Sequence, residues 1–124
     1  MRYNILIVED DEGLLHHLRQ LFLLNVREMV SITCVSTLGE AMEALGMDTH
    51  AVLLDLNLPD SKGRATYDVM ASISMAPVVV LCGDDYGLQG ELGNGIVHIK
   101  PDISGAMEAV AVAMLYKEHG QAAG

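Results

Sequence analysis

The sequence contains no tryptophan, one phenylalanine, four tyrosines and three prolines among its 124 residues. With so few aromatic side chains, we expect the core to be built from aliphatic residues and from the eight methionines, in a chain that is 51% hydrophobic. This length supports one hydrophobic core, and the sequence shows no repeat, low-complexity tract or linker. We therefore predict one domain over residues 1–119, followed by a short flexible tail over residues 120–124.

Basic residues are also scarce. Seven Lys and Arg residues stand against 17 Asp and Glu residues, which gives a formal net charge of −10. Because such a field repels nucleic acid, we expect no direct nucleic-acid partner. The charge instead favours a cation or a basic protein surface as a partner.

The chain has only two cysteines, Cys34 and Cys82, and both lie in apolar, strand-like runs. We predict that they are reduced core thiols, since nothing has the paired spacing of a zinc site. No apolar run approaches the roughly 20 residues that span a bilayer. The N-terminus also lacks the longer apolar stretch of a secretory signal, so we predict a cytoplasmic protein with no membrane partner.

Five apolar runs alternate with helical patterns along the chain. Unbroken runs such as residues 78–81 are typical of strands that are buried on both faces of a parallel sheet. Strict alternation of strand and helix predicts a doubly wound α/β fold. The predicted strands are Tyr3–Val8, Ser31–Val35, Ala51–Leu56, Val78–Cys82 and Ile96–Ile99.

Apolar residues at helical spacing predict helices near residues 14–22, 38–45, 64–73 and 102–118. Thr37 is the predicted N-cap of the second helix, with Glu40 completing a capping box. Residues 84–95 should hold the fourth of five helices, but four glycines fall in this stretch. We therefore expect a shortened and poorly regular fourth helix.

Charged residues follow several of the predicted strands. Glu9 and Asp10 end the first strand, Asp55 ends the third and Lys100 follows the fifth. Because the carboxyl ends of parallel strands meet at one rim, these residues should converge, and ligands of such sheets bind at this rim. Clustered carboxylates repel each other unless a cation neutralises them, and oxygen ligands suit Mg²⁺. With a lysine opposite, such a site would allow a carboxylate to attack phosphorus.

Three motifs carry a family resemblance. They are ILIVEDD over residues 5–11, LLDLNLPDSKG over residues 53–63, and the Lys100-Pro101 pair. In this order and at these intervals, the sequence resembles the response-regulator receiver domain family of two-component signalling, over essentially the whole chain. The resemblance implies a flavodoxin-like, five-stranded parallel sheet with strand order 2-1-3-4-5.

The resemblance also implies a role for individual residues. Asp55 would be the phosphoacceptor, and Lys100 would pair with the phosphoryl group. Mg²⁺ would be bound by Asp10, Asp55 and the main-chain carbonyl of Asn57, with Glu9 acting through metal-bound water. A sensor histidine kinase or a histidine phosphotransfer protein would donate the phosphoryl group from phosphohistidine. The domain would phosphorylate and dephosphorylate itself and would not be a turnover enzyme.

The sequence departs from the family pattern at three places. Cys82 stands where the family has Thr or Ser, and a thiol is a weak hydrogen-bond donor. Val97 stands where the family usually has an aromatic switch residue. The segment between Cys82 and Lys100 is short and rich in glycine. We therefore expect phosphorylation of Asp55 with an atypical conformational output.

The last predicted helix has an apolar outer side. Val112, Leu115 and Tyr116 fall opposite the predicted core stripe, on the same side as Glu108. We interpret this side as a docking or homodimer surface. The alternative is an ordinary scatter of exposed apolar side chains.

Other functions are weighed against the phosphoacceptor role. A phosphorylation-independent, receiver-like interaction module is favoured by Cys82 and Val97 and opposed by the intact Asp10, Asp55 and Lys100. A metal-dependent phosphohydrolase would need a second aspartate two positions after the nucleophile, where Asn57 stands. A flavin-binding protein would need a phosphate-binding loop after the first strand, which the sequence lacks. The chain fits either a stand-alone receiver or a part of a longer protein.

Overall fold

The structure is a computed structural model that describes residues 2–25, 29–83, 97–99 and 105–112. Seven strands and three helices have defined bounds, and residues 105–112 are also helical. The strands are β1 (Arg2–Val8), β2 (Met29–Val35), β3 (Thr49–Leu54), β4 (Asn57–Leu58), β5 (Ser61–Lys62), β6 (Val78–Cys82) and β7 (Val97–Ile99). The helices are α1 (Glu12–Asn25), α2 (Leu38–Ala44) and α3 (Arg64–Ile73).

Five of the strands form a main sheet with the order β2-β1-β3-β6-β7, and every pairing in it is parallel. β4 and β5 form a separate antiparallel pair. When only the main-sheet strands are numbered along the chain, their order is 2-1-3-4-5, as predicted. The doubly wound, flavodoxin-like fold is therefore confirmed.

The main sheet is packed on both faces, which explains its unbroken apolar runs. On one face, α1 and the 105–112 helix cover alternate strand residues, and on the other face α2 and α3 cover the rest. The first layer includes Ile5, Ile7, Leu18, Phe22, Leu53, Leu81, Met107 and Val110. The second includes Leu6, Val8, Leu38, Ala41, Leu54, Leu56, Leu58, Met70 and Val80.

Side chains cap two of the helices. Thr37 is the N-cap of α2, and its Oγ1 accepts a hydrogen bond from the Glu40 N–H at 3.1 Å. The Glu40 carboxylate accepts from the hydroxyls of Ser36 and Thr37, and these bonds hold its pKa below the ordinary value. The predicted N-cap, Thr37, is confirmed, and the Glu40 carboxylate supports it through bonds from side-chain hydroxyls. At the start of α1, Asp11 Oδ1 accepts from the Leu14 N–H at 3.1 Å.

The third strand of the main sheet is displaced from its predicted position. The prediction was Ala51–Leu56, whereas β3 runs over Thr49–Leu54. Leu56 and Leu58 are fully buried, but both come after the end of β3. Their burial anchors the β4–β5 hairpin, of which Leu58 is a part, to the core. Because Leu56 is buried although it lies outside the strand, the apolar pattern in the sequence extends past the true end of β3.

The 105–112 helix agrees with the predicted division into a core stripe and an outer side. Met107 and Val110 are buried, whereas Glu108 is exposed and Val112 has 61% of its surface exposed. Leu115 and Tyr116, the other members of the predicted docking surface, lie outside the described residues. So do the predicted shortened fourth helix (84–95) and the tail (120–124), and all of these stay predictions.

Within the described ranges, no helix has the length and apolar composition needed to cross a bilayer. The longest of them, α1, has 14 residues and includes charged Glu12 and Arg19. Cys34 on β2 is a free, half-buried thiol, in agreement with the sequence. Burial raises the pKa of this thiol above its ordinary value, and the nearby Arg19 charge offsets part of the effect.

Candidate functional site

The carboxyl ends of β1 and β3 lie side by side at one rim of the main sheet. Glu9 directly follows β1, and its N–H donates to the Val35 carbonyl at 3.0 Å. Asp55 directly follows β3, and its N–H donates to the Val8 carbonyl at 3.0 Å. The parallel ladder thus continues one residue past each strand, so the main chain of both acidic residues is fixed by the sheet.

Three carboxylates converge at this rim, and we call Glu9, Asp10 and Asp55 the acidic cluster. One carboxylate oxygen of each residue lies within 4.8 Å of the other two. Glu9 and Asp55 are almost fully buried, with 3% and 4% of their surface exposed, whereas Asp10 is exposed. The predicted convergence of these three residues is what the structure shows.

Like charges at this separation repel strongly away from bulk water. A divalent cation relieves that repulsion, and an all-oxygen set with one side open to solvent is what Mg²⁺ requires to keep several waters. The residues therefore fit Mg²⁺, since Glu9, Asp10 and Asp55 each offer one carboxylate oxygen within reach of a single ion.

Main-chain amides orient the two buried carboxylates. The Asn57 N–H donates to Asp55 Oδ1 at 2.9 Å, and the Asp11 N–H donates to Glu9 Oε1 at 3.2 Å. Such bonds resist rotation of the carboxylate side chain. The orientation of the Asp55 carboxylate thus depends on the chain segment that begins at Asn57.

That segment is the hairpin formed by β4 and β5, in which Asn57 pairs with Lys62 and Leu58 pairs with Ser61. Leu58 is fully buried and fixes the hairpin to the core. The Gly63 N–H closes the loop on the Leu56 carbonyl at 2.7 Å, with Gly63 at a φ of 72°. Glycine adopts this left-handed conformation without strain, which explains its position between the hairpin and α3.

Asp60, at the tip of the hairpin, ties it to a second helix. Its two carboxylate oxygens accept from the N–H groups of Leu38 (2.8 Å) and Gly39 (2.9 Å) in the first turn of α2. The bonds from Gly39 and Leu38 hold the pKa of Asp60 below its ordinary value. Sequence reasoning missed this contact because its partners are 21 and 22 residues apart.

A second contact on the hairpin was also missed. Lys62 Nζ donates to Asn57 Oδ1 at 2.6 Å, between two exposed side chains. The contact follows from the paired positions of the two residues in the hairpin, but two-residue strands leave no periodic pattern from which that pairing could be predicted.

Of the other predicted site residues, the structure describes the main chain of Cys82. Cys82 ends β6, and its main chain pairs with Ile99 of β7, so the end of this strand reaches the same rim. Lys100 lies outside the described residues, and its predicted contact with a phosphoryl group stays a prediction. Val97 is the first residue of β7 and pairs with Val80.

No protein-family model and no curated protein matches the chain. Solved structures do. The signal receiver domain of a putative LuxO repressor protein from Vibrio parahaemolyticus is similar with a TM-score of 0.80 and 20% identity, over 99% of this chain and 98% of that one. The response regulator TrrA from Thermotoga maritima, solved in complex with Mg²⁺ and BeF, is similar with a TM-score of 0.72 and 16% identity, over 90% and 98%.

The non-phosphorylated HemR receiver domain from Leptospira biflexa is 27% identical over 87% of this chain and 93% of that one, with a TM-score of 0.67. The chain therefore has the fold of receiver domains. Its fold and strand order are those that the resemblance implied. Within this fold, the acidic cluster lies at the carboxyl rim of the main sheet, between β1 and β3.

Proposed function

We propose that this receiver domain accepts a phosphoryl group on Asp55, in a reaction that depends on Mg²⁺ bound by the acidic cluster. The observation that carries the proposal is the approach of three carboxylates within 4.8 Å, two of them buried. Holding like charges together in this way costs stability, which is typical of a site shaped by function.

The proposed step is transfer from a phosphohistidine. A carboxylate oxygen of Asp55 forms a bond to phosphorus while the phosphorus–nitrogen bond breaks, and the electron pair returns to the imidazole ring of the donor. Bound Mg²⁺ would neutralise charge on the cluster and on the phosphoryl oxygens. The Asn57 N–H holds the Asp55 carboxylate in one orientation, so little reorganisation precedes the attack.

Three further roles complete this proposal. Lys100 supplies an ammonium group to the phosphoryl oxygens, and the Asn57 carbonyl is a further Mg²⁺ ligand. The phosphoryl donor is a sensor histidine kinase or a histidine phosphotransfer protein in the cytoplasm. The domain is an acceptor and not a turnover enzyme. The complex of TrrA with Mg²⁺ and BeF supports the metal assignment through the shared fold.

The decisive experiment is incubation with acetyl phosphate and Mg²⁺, followed by intact-mass measurement. We expect a phosphate-sized mass gain in the parent and in Asp68→Asn, a control that removes an exposed carboxylate of α3. We expect no gain in Asp55→Asn, and none in the parent when EDTA replaces Mg²⁺. A gain in Asp55→Asn would exclude Asp55 as the acceptor.

A second candidate function is a phosphorylation-independent interaction module with the receiver fold. Cys82 at the Thr/Ser position and Val97 at the aromatic position favour it. No mass gain in any variant, with the fold intact by circular dichroism, would support this module and refute the phosphoacceptor role.

We also propose that the conformational response to phosphorylation is atypical. The support is the weak donor at Cys82 and the absence of an aromatic ring at Val97. Amide NMR shifts on addition of beryllofluoride and Mg²⁺ should change mainly around the acidic cluster, and Cys82→Thr should extend the changes. A large cooperative change through β7 in the parent would contradict this proposal.

A further inference from the structure

β2 is an edge strand of the main sheet, and part of its main chain faces away from that sheet. Among the described residues, the strand order leaves β2 with one neighbour, β1. The Val35 carbonyl accepts from the Glu9 N–H at 3.0 Å, so the main-chain groups of Val35 are directed at β1. Because these groups alternate in direction along a strand, those of Val30, Ile32 and Cys34 point outwards. Outward N–H and C=O groups of this kind can pair with a further strand.

This edge lacks the features with which proteins commonly protect such a strand. β2 (Met29–Val35) contains no Asp, Glu, Lys, Arg, Pro or Gly, and its ladder with β1 has no register shift. At seven residues it is as long as β1. Charged side chains, prolines, bulges and short length are the usual obstacles to pairing between edge strands. The sequence of β2 therefore favours pairing with a further strand.

A groove between α1 and β2 borders the same edge. It has a volume of about 410 Å³, and Cys34 lines it on the side of β2. Leu15 and Leu23 line it on the side of α1, and 63% of the Leu23 surface is exposed. The acidic and basic side chains in its lining, Glu12 and Arg19, balance each other in charge. The groove thus offers apolar surface to a chain that pairs with β2.

The charge of the chain favours one kind of partner at this edge. With a formal net charge of −10, two copies of the chain repel each other over most approaches. That repulsion is weakest where an uncharged strand lies beside a groove whose charges balance. A second copy also brings the same strand with the same outward groups, so an antiparallel pair matches every donor with an acceptor.

We propose that β2 pairs antiparallel with β2 of a second copy, which joins two five-stranded sheets across a two-fold axis at Ile32. In this register Ile32 lies opposite Ile32 of the second copy, and Val30 lies opposite Cys34. These are hydrogen-bonded pairs, in which the two residues exchange both of their main-chain bonds. The register uses all three outward residues, whereas a shift by two residues in either direction leaves one of them unpaired within β2.

The two-fold arrangement has two consequences for the molecule. The assembly is closed, because each copy has one β2 edge and uses it in the contact. The antiparallel direction places the carboxyl rim of one copy beside the amino rim of the other. The two acidic clusters therefore lie at opposite ends of the joined sheet, where their charges are kept apart.

Sedimentation velocity gives the association state of the full chain and of its variants. We expect the parent to sediment as a dimer at about 100 μM. Val30→Pro removes an outward donor and keeps the ladder bonds to β1, so it should weaken dimerisation about tenfold or more. Val112→Glu is the control on the last helix, where 61% of the Val112 surface is exposed, and it should stay within about twofold of the parent.

Cross-linking tests the register without a substitution that prevents pairing. Ser31 of one copy lies opposite Thr33 of the other, in a non-hydrogen-bonded pair with Cα atoms about 4.5 Å apart. That separation suits a disulfide, whereas the diagonal separation between two Ser31 or two Thr33 residues is about 7–8 Å. Upon oxidation, a mixture of Ser31→Cys and Thr33→Cys chains should form several times more disulfide-linked dimer than either variant alone.

A monomeric parent would overturn the inference. So would a dimer that Val112→Glu dissociates while Val30→Pro leaves it intact, because the contact would then lie on the last helix. Equal cross-linking in the mixture and in the separate variants would exclude the register, and this comparison decides if Val30→Pro does not fold. None of these measurements requires phosphate, so they are independent of whether Asp55 is the phosphoacceptor.

Discussion

At the carboxyl ends of β1 and β3, Glu9 and Asp55 bury two carboxylates next to each other, whereas at the amino ends of the same strands the polar side chains pair with main-chain groups. There, Asn4 Nδ2 donates to the Asp48 carbonyl at 3.0 Å, and the Asn4 N–H donates to His50 Nδ1 at 3.0 Å. One rim of the sheet concentrates like charge, and at the other rim the Asn4 donors have acceptors on the neighbouring strand and the turn before it.

The amino rim also contains a register shift between β1 and β3, at which the His50 side chain accepts a main-chain hydrogen bond. The register between β1 and β3 shifts between Asn4 and Ile5, which pair with Thr49 and Ala51, so His50 is the extra residue. Its imidazole accepts the main-chain N–H of Asn4 and meets the Tyr3 ring edge-on, with 5.1 Å between centroids. Polar groups at this rim thus stabilise the fold. At the opposite rim, the carboxylates of the acidic cluster repel each other and destabilise it, and a bound cation would reduce that repulsion.

The largest effect that we predict concerns the apolar anchor of the carboxyl rim. Leu58→Ala should lower the free energy of unfolding by about 2–5 kcal/mol, because it opens a cavity beneath the hairpin. Urea titration measures the change, with Leu24→Ala as the control, since 78% of that side chain is exposed. Equal effects of the two substitutions would show that the hairpin is not anchored by burial.

At the amino rim, His50→Ala should cost about 1–3 kcal/mol. The Asn4 N–H loses its acceptor, and Tyr3 loses its ring contact. Thermal unfolding in parallel with His17→Ala, an exposed position on α1, provides the measurement and its control. If His50→Ala were as stable as His17→Ala, the hydrogen bond from the Asn4 N–H to the imidazole would not contribute to stability.

At the carboxyl rim, removing one charge should increase the stability of the fold, whereas the two substitutions above decrease it. In buffer with EDTA, Asp55→Asn should be more stable than the parent by about 1 kcal/mol, since one of three neighbouring charges is gone. Added Mg²⁺ should raise the midpoint temperature of the parent more than that of the variant. A variant that is less stable than the parent in EDTA would refute the view that this cluster is held together at a cost.

The smallest effect concerns pH and the Asp60 carboxylate. Because bonds from Gly39 and Leu38 lower the folded-state pKa of this carboxyl, its contribution to stability is present above its ordinary pKa of 3.8 and is lost as the pH falls through the lower folded value. Asp60→Asn should therefore lower the midpoint temperature by a few degrees at pH 7. The difference from the parent should shrink below about pH 4.

Thermal scans of the two chains between pH 2 and pH 7 provide this measurement, with Glu43→Gln as the control for loss of one surface carboxylate of α2. A difference between Asp60→Asn and the parent that stayed constant over this range would contradict the assigned role of the carboxylate.

Local signals in the sequence predicted much of this structure. β6 and α3 have the predicted bounds, Val78–Cys82 and Arg64–Ile73, because an unbroken apolar run and a helical period each end at a clear turn. Thr37 and Glu40 were found as a cap from their three-residue spacing. The acidic cluster followed from strand ends alone, since parallel strands bring their carboxyl ends to one rim.

Contacts that depend on register could not be predicted in this way. Asp60 reaches α2 across more than 20 residues of chain, and His50 finds Asn4 only because of a one-residue shift between β1 and β3. The contact of Lys62 with Asn57 depends on a hairpin of two-residue strands, which leaves no periodic signal. Side-chain bonds across the chain therefore required the structure.

The bond from the Gly63 N–H to the Leu56 carbonyl has a consequence for inserting or deleting residues in this region. It closes a loop of fixed length, so one added residue between these two would displace Asn57 at the start of the loop or the first turn of α3 at its end. Epitope tags and grafted peptides are therefore poorly tolerated here, although the hairpin tip at Pro59 and Asp60 is exposed and polar.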